Sequence, residues 1–128
     1  MAVCAKSVEE LLVYQKALAA ADEISAILKR DSFRIDIRLR GQLWASSERV
    51  ASLISEGFAQ KTDRHFGQYL YLSRGSSSEI RTQLAVAYGR DHITHDELSS
   101  LSGLYNEIEK MLTGLIKYLN REDRRFRG

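Results

Sequence analysis

The stretch that most constrains this chain is residues 54–79, ISEGFAQKTDRHFGQYLYLSRGSSSE. It is crowded with Gly57, Gly67, Gly75 and the run Ser76, Ser77, Ser78. Yet Phe66, Tyr69, Leu70, Ser73, Ser77, Ile80 and Leu84 recur at the intervals of a helix. The spacing predicts one helix ending, a tight turn, and a long helix beginning. Tyr69, Leu70, Tyr71 and Leu72 in succession would place apolar side chains all round that second helix, so it should be buried on more than one side. One bundle core in so short a chain covers only one side, and the other is expected to meet a second subunit. Gly75 in mid-helix costs about 1 kcal/mol relative to alanine, so close packing against another helix is expected there.

The rest of the chain is compatible with helices throughout. Its 128 residues contain no proline and are 44% hydrophobic, enough for one domain with a core that needs no metal or disulfide. Cys4 is the single cysteine and excludes an internal disulfide. No apolar run approaches the roughly 18 residues that would span a bilayer, and the start lacks a basic segment followed by an apolar one. No membrane segment or signal peptide is therefore expected, and a cytoplasmic location follows.

Taken in order, residues 1–7 read as an N-terminal tail and 8–120 as an all-α, antiparallel up-down-up-down four-helix bundle. Helix one, about 8–30, opens on a capping box of Ser7 and Glu10 and turns Leu11, Tyr14, Leu18, Ala21, Ser25 and Leu28 inward, with Leu12, Ile24 and Ile27 widening the stripe. Helix two, about 36–59, turns Leu39, Leu43, Ser46, Val50, Ile54 and Gly57 inward, with Leu53 beside them. Helix three spans about 63–88, with Gly89 placed to cap its end. Helix four, about 95–120, opens on a second capping box of Thr94 and Glu97 and carries the cleanest heptad, Leu101, Tyr105, Ile108, Leu112, Leu115 and Leu119. Residues 121–128 read as a frayed basic tail.

Catalytic chemistry finds little foothold. A carboxylate-bridged metal site in a bundle needs Glu-x-x-His pairs, and none of His65, His92 and His95 has a glutamate three residues before it. His92 and His95 read as solvated turn residues rather than a metal pair. The serines at 76–78 lack a strand-turn-helix elbow, and Gly57, Gly67 and Gly75 form no phosphate loop. Neither catalytic residue, metal nor cofactor is expected, and the chain is read as a non-enzyme.

Charge is the more informative signal. The net charge is only +2, but residues 29–41 and 61–90 each carry +3, while 1–28 carry −2 and 91–120 carry −3. Arg34, Arg38, Arg40, Arg49, Lys61, Arg64, Arg74 and Arg81, with the tail arginines, are the candidates for a polyanion-binding surface acting by counterion release. Arg74 is expected to pair with Glu56 or Glu79. The other reading of these cations is a solvated charged face on a structural or protein-interaction module. Trp44, Phe58, Tyr69, Tyr71 and Leu72 are the candidates for an oligomer interface.

Glu56-Gly57, Lys61-Thr62, Phe66, Tyr69-Leu70, Ser73-Arg74-Gly75-Ser76, Glu79 and Gln83-Leu84 together resemble the signature of the bacterial four-helix bundle protein family. That family is also called the 23S rRNA intervening-sequence protein family, and accessory variability proteins of diversity-generating retroelements are its relatives. Val13-Tyr14-Gln15-Lys16-Ala17 with Ala21, and Gln42-Leu43, look like its first helix and second-helix start, so the resemblance covers nearly the whole chain. It implies a ring-shaped homopentamer, and a non-catalytic nucleic-acid-binding role beside a reverse transcriptase in some relatives. The chain departs from the pattern at Phe33-Arg34, where many relatives have Phe-Pro, at Leu53, often asparagine, and at Trp44 and Ala45, often arginines.

Overall fold

The computed structural model describes residues 4–127, with side chains described through Arg121. The expected tails at 1–7 and 121–128 therefore fall partly outside the described residues, at 1–3 and 128. Among the described residues there are four helices, α1 (Leu12–Leu28), α2 (Ile37–Phe58), α3 (Asp63–Gly89) and α4 (His95–Arg127), with 3₁₀ turns at Val8–Glu10 and Asp31–Arg34. There is no strand among the described residues. α1 adjoins α2 and α4, and α3 adjoins the same two helices, so the four enclose one core. Phe66, Leu70, Ile80 and Leu84 of α3 meet Leu43, Val50 and Ile54 of α2 and Tyr105, Ile108 and Leu112 of α4 there. No helix among the described residues is long and apolar enough to cross a membrane.

The helix ends follow local chemistry, with three departures from expectation. Ser7 makes no capping bond; a 3₁₀ turn intervenes, Leu11 is extended, and α1 starts at Leu12. The Glu10 carboxylate instead accepts from the Lys6 N–H at 2.7 Å. At the end of α3 the left-handed residue is Asp91, at φ 62°, not Gly89. His92 N–H donates to Ala87 O at 2.9 Å and Asp91 N–H to Tyr88 O at 3.0 Å, the paired bonds of a Schellman cap. α4 runs on to Arg127 where a frayed tail from Arg121 was expected. The Thr94–Glu97 box forms as expected, with Glu97 N–H donating to Thr94 Oγ1 at 3.2 Å and Thr94 N–H to Glu97 Oε1 at 2.9 Å. Thr62 caps α3 by accepting from His65 N–H at 3.2 Å.

The face of α1 is also corrected. Its buried residues are Val13, Ala17, Ala20, Ile24, Ile27 and Leu28, whereas Leu18 and Leu12 stay exposed and Leu11, Tyr14, Ala21 and Ser25 only partly buried. The small Ala17 and Ala20, fully packed at 0% and 2% exposure, set the contact side, leaving the bulkier stripe on the flank. α2 and α4 bury the expected faces, except that Leu53 and Leu115 are partly buried while Ala51 and Ile116 are buried.

The connections α1–α2 and α3–α4 meet at one end, tied by an unforeseen latch. Phe33, fully buried, stacks on His92 with ring centroids 4.3 Å apart. His92 Nε2–H donates to Asp36 Oδ2 at 2.8 Å, and Arg90 donates to both Asp36 oxygens at 3.1 and 3.2 Å. His92 is thus a buried structural residue, not a solvated turn residue. Its hydrogen bond, reinforced by Arg90, holds the Asp36 carboxyl below its ordinary range. Arg30 completes the latch by donating to His92 O at 3.1 Å and to both Glu97 oxygens.

Candidate nucleic-acid interface

Small residues on α3 allow polar bonds to form between helices. Ser73 and Ser77 are fully buried; Ser73 Oγ donates to Val50 O of α2 at 2.7 Å and Ser77 Oγ to Tyr105 O of α4 at 3.1 Å. The serine run therefore joins helices, as small residues at a crossing should. Among the glycines, the tight helix contact is at Gly57 and not at Gly75. A Cβ on Gly57 would stand 2.7 Å from Tyr69 Cβ and 3.0 Å from Phe66 Cδ1, whereas one on Gly75 would meet nothing within 4 Å. Gly75 is exposed, so the packing inferred for it is not made within the chain.

The structure divides the candidate cations by what already engages them. Arg81 forms a two-bond pair with Glu109 at 2.6 and 2.8 Å, and the single Ser77 O–H is shared between Tyr105 O and that carboxylate, 3.2 Å from Ser77 Oγ. Arg74 pairs with neither Glu56 nor Glu79: it donates to Thr113 Oγ1 at 3.0 Å and lies 4.3 Å over the Tyr71 ring. Glu79 instead takes Arg49, at 3.5 Å, and Arg49 also donates to Ser76 Oγ at 3.3 Å. Arg40 Nε donates to Leu28 O at 3.2 Å, and Arg34 faces Asp31 at 3.5 Å with both side chains in solvent. Arg38, Lys61 and Arg64 are exposed, with no acidic partner among the described residues.

Two adjoining hollows of about 340 and 390 Å³ lie along the α2–α3 seam. Arg38, Gln42 and Gln83 line both, Arg90 lines one, and Arg49 with Ser46 and Glu79 lines the other. Gln83 Nε2–H donates to Ser46 Oγ at 3.2 Å, while its buried oxygen has no partner. Arg64 lies on the other side of α3, beside a third hollow of about 310 Å³ shared with Tyr71 and Asn120 of α4. The expected cations are thus spread over two seams. Gln42, Gln83 and Arg90 were not singled out from the sequence, although Gln42 and Gln83 fall at helical spacing from Arg38, Arg49 and Glu79.

The candidate interface residues also divide. Phe58 is partly buried against the core, edge-on to Phe66 at 5.9 Å, and Tyr69 packs at the Gly57 crossing. Trp44, Tyr71 and Leu72 stand outward, each more than half exposed. Trp44 lines a groove of about 560 Å³ between α1 and α2 together with Tyr14, Leu18 and Ala21.

Set beside known proteins, residues 9–114 match the family model described as 23S rRNA-intervening sequence protein. Among curated proteins, none matches. Among solved structures, the chain is similar to a protein of unknown function from the S23 ribosomal protein family of Bacteroides thetaiotaomicron, at 21% identity and a TM-score of 0.75. That alignment covers 83% of this chain and 99% of the other.

Proposed function

The chain belongs to the 23S rRNA-intervening sequence protein family, and from that premise we propose that it is a non-enzymatic oligomeric adaptor that binds RNA or DNA. The observation that carries the reading is Arg38, exposed and without an acidic partner among the described residues, beside two hollows lined by Gln42 and Gln83. A guanidinium there meets a phosphate without first breaking an internal ion pair, and the neighbouring amides supply neutral donors and acceptors. Lys61 and Arg64 extend the cationic surface beyond that seam. Self-association, to a homopentamer as the family resemblance implies, would repeat this surface and multiply its field. In that form the protein would serve as the accessory partner of a reverse transcriptase or another enzyme that acts on nucleic acid.

The test is anisotropy of labelled RNA and DNA oligonucleotides over a salt series. Affinity should fall steeply between about 50 and 200 mM salt. Joint substitution Arg38→Glu, Lys61→Glu and Arg64→Glu should remove measurable binding and leave helicity intact. A wild-type protein with no salt-dependent affinity would overturn the reading. It would favour a structural or protein-interaction module instead, a role to which the outward Trp44, Tyr71 and Leu72 are suited.

A further inference from the structure

We propose that the hollow between α3 and α4 takes an unpaired nucleobase of a single strand, stacked on Tyr71 with its backbone phosphate on Arg64. This inference rests on the nucleic-acid binding of the preceding reading and assigns it a second contact, away from the Arg38 seam. The hollow, of about 310 Å³, is lined by Arg64, Gly67, Gln68 and Tyr71 of α3 and by Ile116 and Asn120 of α4. A cation, an aromatic ring and two amides thus share one hollow whose lining has no carboxylate.

Each group in that lining has a counterpart in a nucleotide. Tyr71 is 56% exposed, and the Arg74 guanidinium, held by Thr113 Oγ1 at 3.0 Å, lies 4.3 Å over its ring. Arg74 is not part of the hollow's lining, so the side of the ring turned to the hollow is not the one the guanidinium covers. A ring backed by a fixed cation is a stacking platform held in place, and stacking accepts any base. Gly67 stands one turn before Tyr71, and a Cβ there would meet nothing within 4 Å, so the glycine leaves the space beside the ring open. Gln68 and Asn120 are exposed, and their side-chain amides bond no described residue; each can donate and accept at a base edge or a sugar hydroxyl. Arg64, seven residues before Tyr71, falls on the same face of α3 and has no acidic partner among the described residues. It is the group for the phosphate. Bases in a duplex stay stacked and paired, out of reach of such a hollow, so the occupant is single-stranded.

Anisotropy of labelled single-stranded RNA and DNA, each beside a duplex of the same length, tests this. Tyr71→Ala should weaken single-strand affinity about 5- to 150-fold, the worth of one stacked base. The salt dependence should keep its slope, because no phosphate contact is lost. Tyr71→Phe, which retains the ring, should restore the affinity. Gly67→Leu fills the hollow and favours the helix, so it gives a second reading if Tyr71→Ala folds poorly, and it too should weaken single-strand binding. Arg64→Ala should make the salt dependence shallower by about one contact. Loss on the RNA, on the DNA or on both supports the site and tells which strand supplies the nucleotide. Single-strand affinity unmoved by both Tyr71→Ala and Gly67→Leu would overturn the base site and leave the salt-dependent binding of the preceding reading standing. An equal loss on the duplex would overturn it too, as would a change in the protein's mass on light scattering, which would make Tyr71 a contact between copies. A wild type without salt-dependent affinity for any of these strands would overturn both readings.

Discussion

Gly57 and Gly75 look alike in sequence, each a glycine within a helix, yet their surroundings make opposite demands. At Gly57 a methyl group would overlap Tyr69 Cβ, an atom fixed to its own helix backbone, so α2 and α3 would have to separate. Gly57→Ala should therefore destabilise by about 1–2 kcal/mol, an overpacking cost larger than the helix-propensity gain. Gly75→Ala meets open space and should stabilise by up to about 1 kcal/mol. Thermal melts of the two variants should move in opposite directions. Asp91 gives a third case: at φ 62° a side chain is disfavoured, and Asp91→Gly should raise stability by roughly 0.5–1 kcal/mol.

Among the elements, α4 has the best-defined start, and its cap is sensitive to acid. Glu97 bonds Arg30 and the Thr94 N–H, contacts that lower its carboxyl from 4.5 to about 2. A carboxyl depressed on folding contributes stability above its unfolded value, near pH 4.5, and loses it as pH falls towards 2. Asp36, depressed by His92 and Arg90, acts in the same direction at the same end of the bundle. The melting temperature should thus fall on acidification below about pH 5. Glu97→Gln should flatten that dependence while costing no more than about 1 kcal/mol at neutral pH, because both partners are partly in solvent. A Glu97→Gln variant with the wild-type acid profile would remove Glu97 from this account.

For the whole molecule, the separation of engaged from unengaged cations makes stability and binding separable. Arg81→Ala removes the partner of Glu109, a largely buried carboxylate, and should lower stability by about 1–2 kcal/mol. On the reading proposed above it should leave nucleic-acid affinity nearly unchanged. Arg38→Ala should do the reverse, keeping the melting temperature and making the salt dependence shallower by about one phosphate contact. Denaturation and anisotropy on the same two variants check both halves.

The candidate surface was legible only in part, because charge per segment is local while pairing is not. Residues 61–90 carry an excess of positive charge. Yet Arg81 and Arg74 are engaged from α4 by Glu109 and Thr113, and Arg49 is engaged from α3 by Glu79 and Ser76. By itself the sequence determined the four helices, the inward faces of α2 and α4, and the Thr94–Glu97 cap, because apolar spacing and capping act within one or two turns. Only the tertiary structure decided which stripe of α1 is buried, where two helices touch at Gly57, and that Phe33, Asp36, Arg90 and His92 close one end. Those depend on residues distant in the chain and on how closely two backbones can approach, which no single helix's pattern contains.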